Sequence, residues 1–312
     1  MRQGLDSPDL VLMGHIVQET IYFPGRTLGP VLGSPVAYGS VVAGRLGEKV
    51  GIVTTIGTDM PAELLAPFRE AGVDLRGLRV LDGNWTTTSQ LIYQASGSKE
   101  IRYPRKAPPI EFEDIPPAYY GARVIYVACM DRDVPLRTIR ALRRLGAKLA
   151  VDLGAYGGAH SVQHPDAAEQ RNPTAMRELV GCFDIVRASL EDCAHLLGPA
   201  RVQTEADEER VLRDFLDWGA DVAVLTLGER GCAIATPDGL VRAPAQRGQV
   251  VDTTGAGDSF STAFLSAYMQ AGDVTWAARF GAATVIHIIE HSGGVYAGRM
   301  PTRADVEARL AS

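Results

Sequence analysis

The sequence predicts an α/β protein: a three-layer α/β/α sandwich with a mostly parallel central sheet and a small β lid. Three observations carry that expectation. From residue 122 onward, short apolar runs alternate with amphipathic helical segments, the rhythm of a parallel sheet covered on both faces. Over residues 86–103 the hydrophobic period switches to two, so a hairpin interrupts the rhythm. The chain has 312 residues, enough to bury a large core in one big domain or two smaller ones.

Taken in order, the chain opens with a strand, "DLVLMGHI", and a Gly/Pro-rich stretch, "FPGRTLGPVLGSP". A helix of small residues follows, "VAYGSVVAGRLG", then the strand "VGIVTTIGTD". Residues 62–72 read as an amphipathic helix closed by Gly72. In the hairpin, "TTTSQLIYQ" and "KEIRYP" flank Ala95-Ser96-Gly97-Ser98. Beyond it, "ARVIYVACM" is a strand and "VPLRTIRALRRLG" a helix stopped at Gly146. "AKLAVDLG" is a strand, and "NPTAMRELVG" a short helix with Asn172 as its cap. "DIVRAS" is a strand, "LEDCAHLLG" and "EADEERVLRDFLDWG" are helices, and "DVAVLTLG" is a strand. "GCAIATPDGLVRAPA" is a hairpin turned at Pro237-Asp238-Gly239. "GQVVD" reads as one more strand, with helices after it over residues 258–271, 274–290 and 302–310. Residues 154–173 form a long irregular segment, a place where binding loops tend to sit. In open parallel sheets ligands bind beyond the carboxyl ends of the strands. Those ends carry Asp131, Asp152, Ser189 and Thr226 with Gly228.

Composition excludes several classes. Net charge is −6 with acids and bases interspersed, so no basic nucleic-acid footprint is present. The longest apolar runs are strand-sized, far short of a membrane span. The N-terminus "MRQGLDSPDLVLMGH" lacks the pattern of an export signal. Cys129, Cys182, Cys193 and Cys232 form no C-x-x-C pair and lie in apolar surroundings. Reduced, buried thiols in a cytoplasmic protein are the expectation.

The informative stretch is "VVDTTGAGDSF", residues 250–260. Phe260, Phe264, Leu265 and Tyr268 follow at helical spacing, so Gly255-Ala256-Gly257 lie at a helix start. Backbone N–H groups there have no intrahelical partner, and small side chains let an anion approach. Asp258 would repel a phosphate directly. It makes sense if a hydroxyl lies between the two, oriented by the carboxylate, which accepts its proton as the oxygen attacks phosphorus. Gly and Asp at a helix start are also common as plain capping chemistry.

At these residues the chain resembles the ribokinase-like, or phosphofructokinase B (PfkB), carbohydrate kinases. The resemblance runs almost the whole length: "DTTGAGDSF" is similar to the C-terminal signature, "LTLGERGCAI" to the strand and turn before it, and "GSPVAYGSVVAGRLGEKVGIVTTIGTD" to the N-terminal glycine-rich signature. It implies one domain over residues 1–312, with a lid from about residues 17–34 and 86–107 that closes over substrate and excludes water. It implies ATP-dependent phosphorylation of an alcohol on a small sugar, cyclitol or nucleoside. Asp258 is then the catalytic base and Gly255, Ala256 and Gly257 the anion hole. Thr226, Gly228, Gly231, Ser189 and Ala282 border the nucleotide. Asp252 and Thr254 resemble ligands of a monovalent cation, usually potassium. Magnesium would travel with ATP, bound mainly through phosphates and water, with Asp192 as an outer contact.

The chain departs from the pattern at several of these positions. Where members carry N-x-x-E, this chain has Ser189-Leu190-Glu191-Asp192, which also reads as a helix cap with acids in the first turn. The residues expected on substrate hydroxyls read Glu19, Gly33, Ser34 and Tyr38, which argues against a plain ribokinase, fructokinase or adenosine kinase. Ala282 stands where many members have Asn near the adenine. A non-catalytic ligand-sensing relative is the competing class, and the intact Asp258 with its Gly-Ala-Gly argues against it. An exposed hairpin edge invites pairing, which leaves a homodimer through the lid open. "HIIEH", residues 287–291, matches a zinc-protease pattern, but reads better as a packed His287 and a helix C-terminal His291. His160 and His164 in the long segment could reach substrate, and Arg102 and Arg105 on the lid a phosphate or an anionic substrate, but all four read more simply as solvated polar groups.

Overall fold

The computed structural model describes residues 7–94, 99–167 and 172–311. Along the chain come β1 (Leu10–Met13), β2 (Val17–Phe23), β3 (Arg26–Gly33), α1 (Pro35–Arg45), β4 (Val50–Gly57), α2 (Ala66–Glu70) and β5 (Asp74–Leu81). Next are β6 (Thr88–Tyr93), β7 (Lys99–Arg105), β8 (Val124–Val127), α3 (Leu136–Leu142), β9 (Lys148–Asp152), α4 (Pro173–Val180) and β10 (Ile185–Ser189). The remainder is α5 (Leu190–Leu197), α6 (Glu205–Asp217), β11 (Val222–Thr226), β12 (Cys232–Thr236), β13 (Gly239–Ala243), α7 (Ala256–Ala271), α8 (Val274–Ile289) and α9 (Arg303–Ala311).

The main sheet runs in the order β13-β12-β11-β10-β9-β8-β1-β4-β5. Pairing is parallel from β11 to β5, with β12 and β13 added antiparallel at one edge. A separate four-stranded sheet, β3-β2-β6-β7, is built from the segments expected as the lid. Its centre is a parallel pairing of β2 with β6, Gln18 opposite Thr88 through Tyr22 opposite Ile92.

Period two explains the layers. In β1, Leu10 and Leu12 enter one core while Val11 and Met13 enter the other; in β8, Val124 and Tyr126 oppose Ile125 and Val127 in the same way. The first core packs under α1, α7 and α8, the second under α3 to α6. In α7 the rings of Phe260, Phe264 and Tyr268 stack at 6.1 and 5.8 Å, four residues apart. Burying a Phe side chain such as Phe264 contributes about 1.5–3 kcal/mol. Asn172 caps α4 as read, accepting from Thr174 N–H, and Thr204 and Asp207, not singled out in the sequence, form a capping box on α6.

Four elements differ from the sequence reading. β5 was not anticipated, because "DLRGLRVL" lies at the sheet edge with a half-open face and shows no clean alternation. The Gly/Pro-rich stretch is largely β3, an edge strand in which Pro30 interrupts no central ladder. The expected strand "GQVVD" is a loop, in which Val250 and Val251 are 60 % and 50 % exposed. Val251 and Asp252 N–H groups bond to Ile289 O at the end of α8 instead of to a strand. Residues 62–72 divide into a 3-10 turn, Ala62–Leu65, and the short α2. The expected turn at Ala95-Ser96-Gly97-Ser98 lies outside the described residues.

The lid joins the main sheet around one buried imidazole. His15, 1 % exposed, follows β1 directly. Its ring nitrogens meet Thr87 Oγ1 and Pro108 O, both at 3.0 Å, and its backbone N–H donates to Asp133 at 2.5 Å. Among the described residues, no helix is long and apolar enough to cross a membrane.

Candidate active site

Gly255 is the N-cap of α7, with φ 79°. A Cβ there would lie 2.3 Å from the Tyr38 ring, so glycine is required twice over, by conformation and by space. Gly255→Ala is expected to lower stability by about 1–3 kcal/mol, read as a fall in the midpoint of thermal unfolding. An unchanged midpoint would overturn that account. Asp258 sits in the first turn of α7, 9 % exposed.

An inner chamber is lined by Glu19, Ser34, Tyr38, Tyr93, Met130, His160, Thr254, Gly255 and Asp258. Glu19 is 4 % exposed and accepts from Ser89 Oγ at 3.0 Å. Gly33 packs against its carboxylate, where a Cβ would meet Oε1 at 2.9 Å. Ser34 caps α1 by accepting from Ala37 N–H, and holds φ 110°, a strained value for a non-glycine residue. Tyr38 turns its ring edge to the chamber and its hydroxyl away, donating to Gly293 O at 3.1 Å. Burial pushes its phenol well above the usual tyrosine range, against the opposing pull of Arg299.

Ile101 and His160 line both this chamber and a larger outer cleft of about 440 Å³ between β7 and residues 160–165. Polar groups ring that cleft: Gln90, Arg102, Lys106, Asp131, Gln163 and His164. Lys106 Nζ donates to the Asp131 carboxylate at 2.7 Å, and Tyr103 OH bonds His160 O at 3.0 Å, tying the lid to the long segment. Burial lowers the His164 imidazole below its usual range, with Lys106 and Arg132 adding to the shift and Asp131 opposing it.

On the other side of α7, the sheet ends bring together a group only partly anticipated. Arg187 on β10 packs under the helix start; a Cβ on Gly257 would lie 2.9 Å from its Nη2. It donates to Asp152 and to Thr226 Oγ1, each at 2.5 Å, and stands 3.8 Å from Asp192. Burial disfavours its charge, but Asp152 and Asp192 outweigh that and raise its pKa further. Its buried Nε–H has no hydrogen-bond acceptor among the described residues. The sequence held one signal for it, an arginine inside a strand that otherwise reads as buried.

Ser189 and Asp192 form a capping box on α5, and Asp192 also accepts from Ala159 N–H at 2.8 Å. Burial raises the Asp192 pKa, but Arg187, His160 and these hydrogen bonds prevail and hold the carboxyl below its usual range. Both oxygens are thus taken by protein donors, and Glu191 is the exposed acid of that turn. Among the described residues no cluster of three or more His, Cys, Asp or Glu could hold a metal.

Thr226 ends β11, and Gly228 and Gly231 shape the turn into β12. Gly231 has φ 87°, and a Cβ there would meet Ala243 O at 2.0 Å. Ala282 is half-buried on α8, the helix packed along β13. Asp252 is fully buried: Thr254 N–H and Oγ1 donate to one oxygen, Gly293 N–H to the other. Tyr93 of the lid bonds Thr254 Oγ1 at 2.8 Å. Arg299 lies against the same loop, its Nη2 donating to Thr254 O at 3.0 Å.

The remaining motif residues pair locally. His291 Nδ1 bonds His287 O at 2.9 Å, and burial, with Arg309 nearby, lowers the His287 pKa. Arg102 pairs with Glu100, and Arg105 lies 4.1 Å from the Trp85 ring centre. The four cysteines are free; burial raises all four thiols, that of Cys232 to about 12.

An α/β/α sandwich, a second β sheet beside it and a Gly-Ala-Gly helix start next to a buried aspartate fit the small-molecule kinase class that the resemblance implied. Residues 39–302 match the pfkB family carbohydrate kinase profile, and the chain belongs to that family. It is 29 % identical over 281 residues to a cytidine kinase of Thermococcus kodakarensis, covering 88 % of this chain and 93 % of that one. It is 24 % identical over 300 residues to a nucleoside kinase of Methanothermobacter thermautotrophicus, 91 % and 90 % of the two chains. Its fold matches Arabidopsis thaliana ribokinase complexed with ribose and ATP at TM-score 0.77 and 20 % identity, over 97 % and 99 % of the chains.

Proposed function

We propose that this protein transfers the terminal phosphoryl group of ATP to a sugar hydroxyl of a nucleoside. The observation that carries the reading is the two-part acceptor space. The inner chamber beside Asp258, about 40 Å³, takes the reacting hydroxyl and opens past Ile101 and His160 into the outer cleft. The outer cleft, about 440 Å³, lies within the roughly 300–1,000 Å³ span of small-molecule sites. Its amide, carboxylate and ammonium groups suit the hydrogen-bonding edge of a base. The similarity to a cytidine kinase and a nucleoside kinase supports the same class.

In this reading Glu19 and Ser34 hold sugar hydroxyls and Asp258 accepts the proton of the attacking one. The new P–O bond forms as the bond to the ADP oxygen breaks, and ADP leaves with that electron pair. The N–H groups at Gly255 and Gly257 receive the transferring group, that of Ala256 being engaged by Thr253 O at 3.1 Å, and Arg187 neutralises charge from beneath Gly257. Thr226, Gly228 and Gly231 border the nucleotide, with Ser189 and Ala282 further along the same side. Magnesium on the phosphates supplies further neutralisation, with Asp192 at most a contact through water. The lid closes over the acceptor and keeps water from competing. The exposed lid edges β3 and β7 are where a second copy would pair.

An ADP-release assay with nucleosides, free pentoses, hexoses and inositols tests this. Nucleosides are expected to exceed free ribose in kcat/KM by roughly 10²-fold, since remote binding energy in the outer cleft is absent for the bare sugar. Equal turnover of ribose would replace the nucleoside reading with a sugar kinase.

A further inference from the structure

Two segments, residues 252–254 and 293–294, turn main-chain oxygens onto one buried point. Arg299, 1 % exposed, reaches that point from the 3-10 turn Ala297–Arg299. Its Nη2 donates to Thr254 O at 3.0 Å and Asp252 O at 3.4 Å. Its Nη1 donates to Gly293 O, to Tyr38 OH at 2.8 Å and more distantly to Gly294 O. Its Nε donates to Ile288 O at 3.1 Å. The Asp252 carboxylate stands 3.8 Å from Nη2.

A fully buried carboxylate ringed by carbonyl oxygens demands a cation, because burial of the bare charge is costly. Those are also the donors that hard metal ions take. Here all five N–H donors of one guanidinium meet them. A second positive ion at this point would face that guanidinium with the oxygens already engaged, so potassium does not fit. Tyr38 completes the arrangement: its hydroxyl links Gly293 to Arg299 while its ring supports Gly255. The unusual residue at position 38 and the arginine at 299 are one device.

We propose that Arg299 is a tethered replacement for a monovalent cation, holding the loop that carries Gly255-Ala256-Gly257, and that this protein works without potassium. The catalytic part of the inference rests on the kinase reading above; the binding part does not.

The test compares the full-length protein in potassium chloride and in choline chloride at equal ionic strength. Thermal unfolding and ADP release are both read, across wild type, Arg299→Ala and Arg299→Lys. Wild type is expected to show the same unfolding midpoint and the same turnover in both salts. Arg299→Ala is expected to lose turnover and stability in choline chloride, and to regain part of each with potassium or low, non-denaturing guanidinium. Arg299→Lys keeps a positive charge and is expected to need no added ion. A potassium-specific rise in the midpoint or turnover of wild type would overturn the proposal. So would a folded Arg299→Ala that matches wild type in choline chloride. If the alanine variant does not fold, the wild-type comparison decides. The unfolding readout needs no acceptor, so a failed substrate assignment leaves it intact.

Discussion

Asp258→Asn is expected to lower kcat by roughly 10²-fold to 10⁴-fold, the contribution of a positioned general base, and to leave the fold intact. Asparagine keeps the size of the side chain and its place in the first turn of α7. What it removes is the capacity to take a proton. Tyr103 and Tyr126 do not stand in for it. Burial pushes the phenols of Tyr103 and Tyr126 well above their usual range, and acidic neighbours that include Asp258 add to the shift, so both stay neutral hydroxyls near pH 7. The measurement is ADP release with saturating nucleoside, beside thermal unfolding of both proteins. KM for the nucleoside is expected to change far less than kcat, because the chamber walls are unaltered. Turnover within a few-fold of wild type, in a folded variant, would remove Asp258 from the chemistry.

The second large effect is expected at Arg187. Arg187→Met leaves Asp152 and Asp192 buried without their cation, which costs about 3–5 kcal/mol when one partner of such a group is removed. Stability also acquires a new pH dependence. In wild type the Asp192 carboxyl is held below its ordinary value, so its contribution is present above the unfolded pKa of about 3.9 and is lost as pH falls through the lower folded value. Without Arg187 the folded pKa rises, and acid unfolding is expected to begin at higher pH. Arg187→Lys separates charge from shape. It keeps the cation but not the fork that joins Asp152 to Thr226. If Arg187 serves only the fold, the lysine variant, once folded, turns over at the wild-type rate. If it also faces the phosphates, ADP release in that variant falls with a raised KM for ATP. An Arg187→Met protein as stable as wild type across the acid range would overturn the electrostatic account.

The parallel sheet was legible because strands buried on both faces leave apolar runs that few other elements produce, as in "ARVIYVACM" and "DVAVLTLG". The glycine turn ahead of α7 was legible because a glycine with positive φ and a helix start are both local events. β3 and β5 were not, since each is an edge strand whose exposed positions carry no alternation. "GQVVD" misled because its valines are apolar yet exposed on a loop. Arg187 and Arg299 were missed for a common reason. An arginine is ordinarily a surface residue, and only the packing of distant segments reveals that these two are interior cations. The outer cleft is likewise a product of tertiary structure, joining β7 to a segment some sixty residues further on.

The placement of His15 has a mechanical consequence. The chain passes between lid and main sheet four times: at residues 14–16, 33–34, 86–87 and 106–108. Three of those passages meet at one imidazole, through His15 itself, Thr87 and Pro108. The segments entering β2 and β6 and the one leaving β7 thus share a single buried anchor, which couples the second sheet to the main one at that point rather than strand by strand.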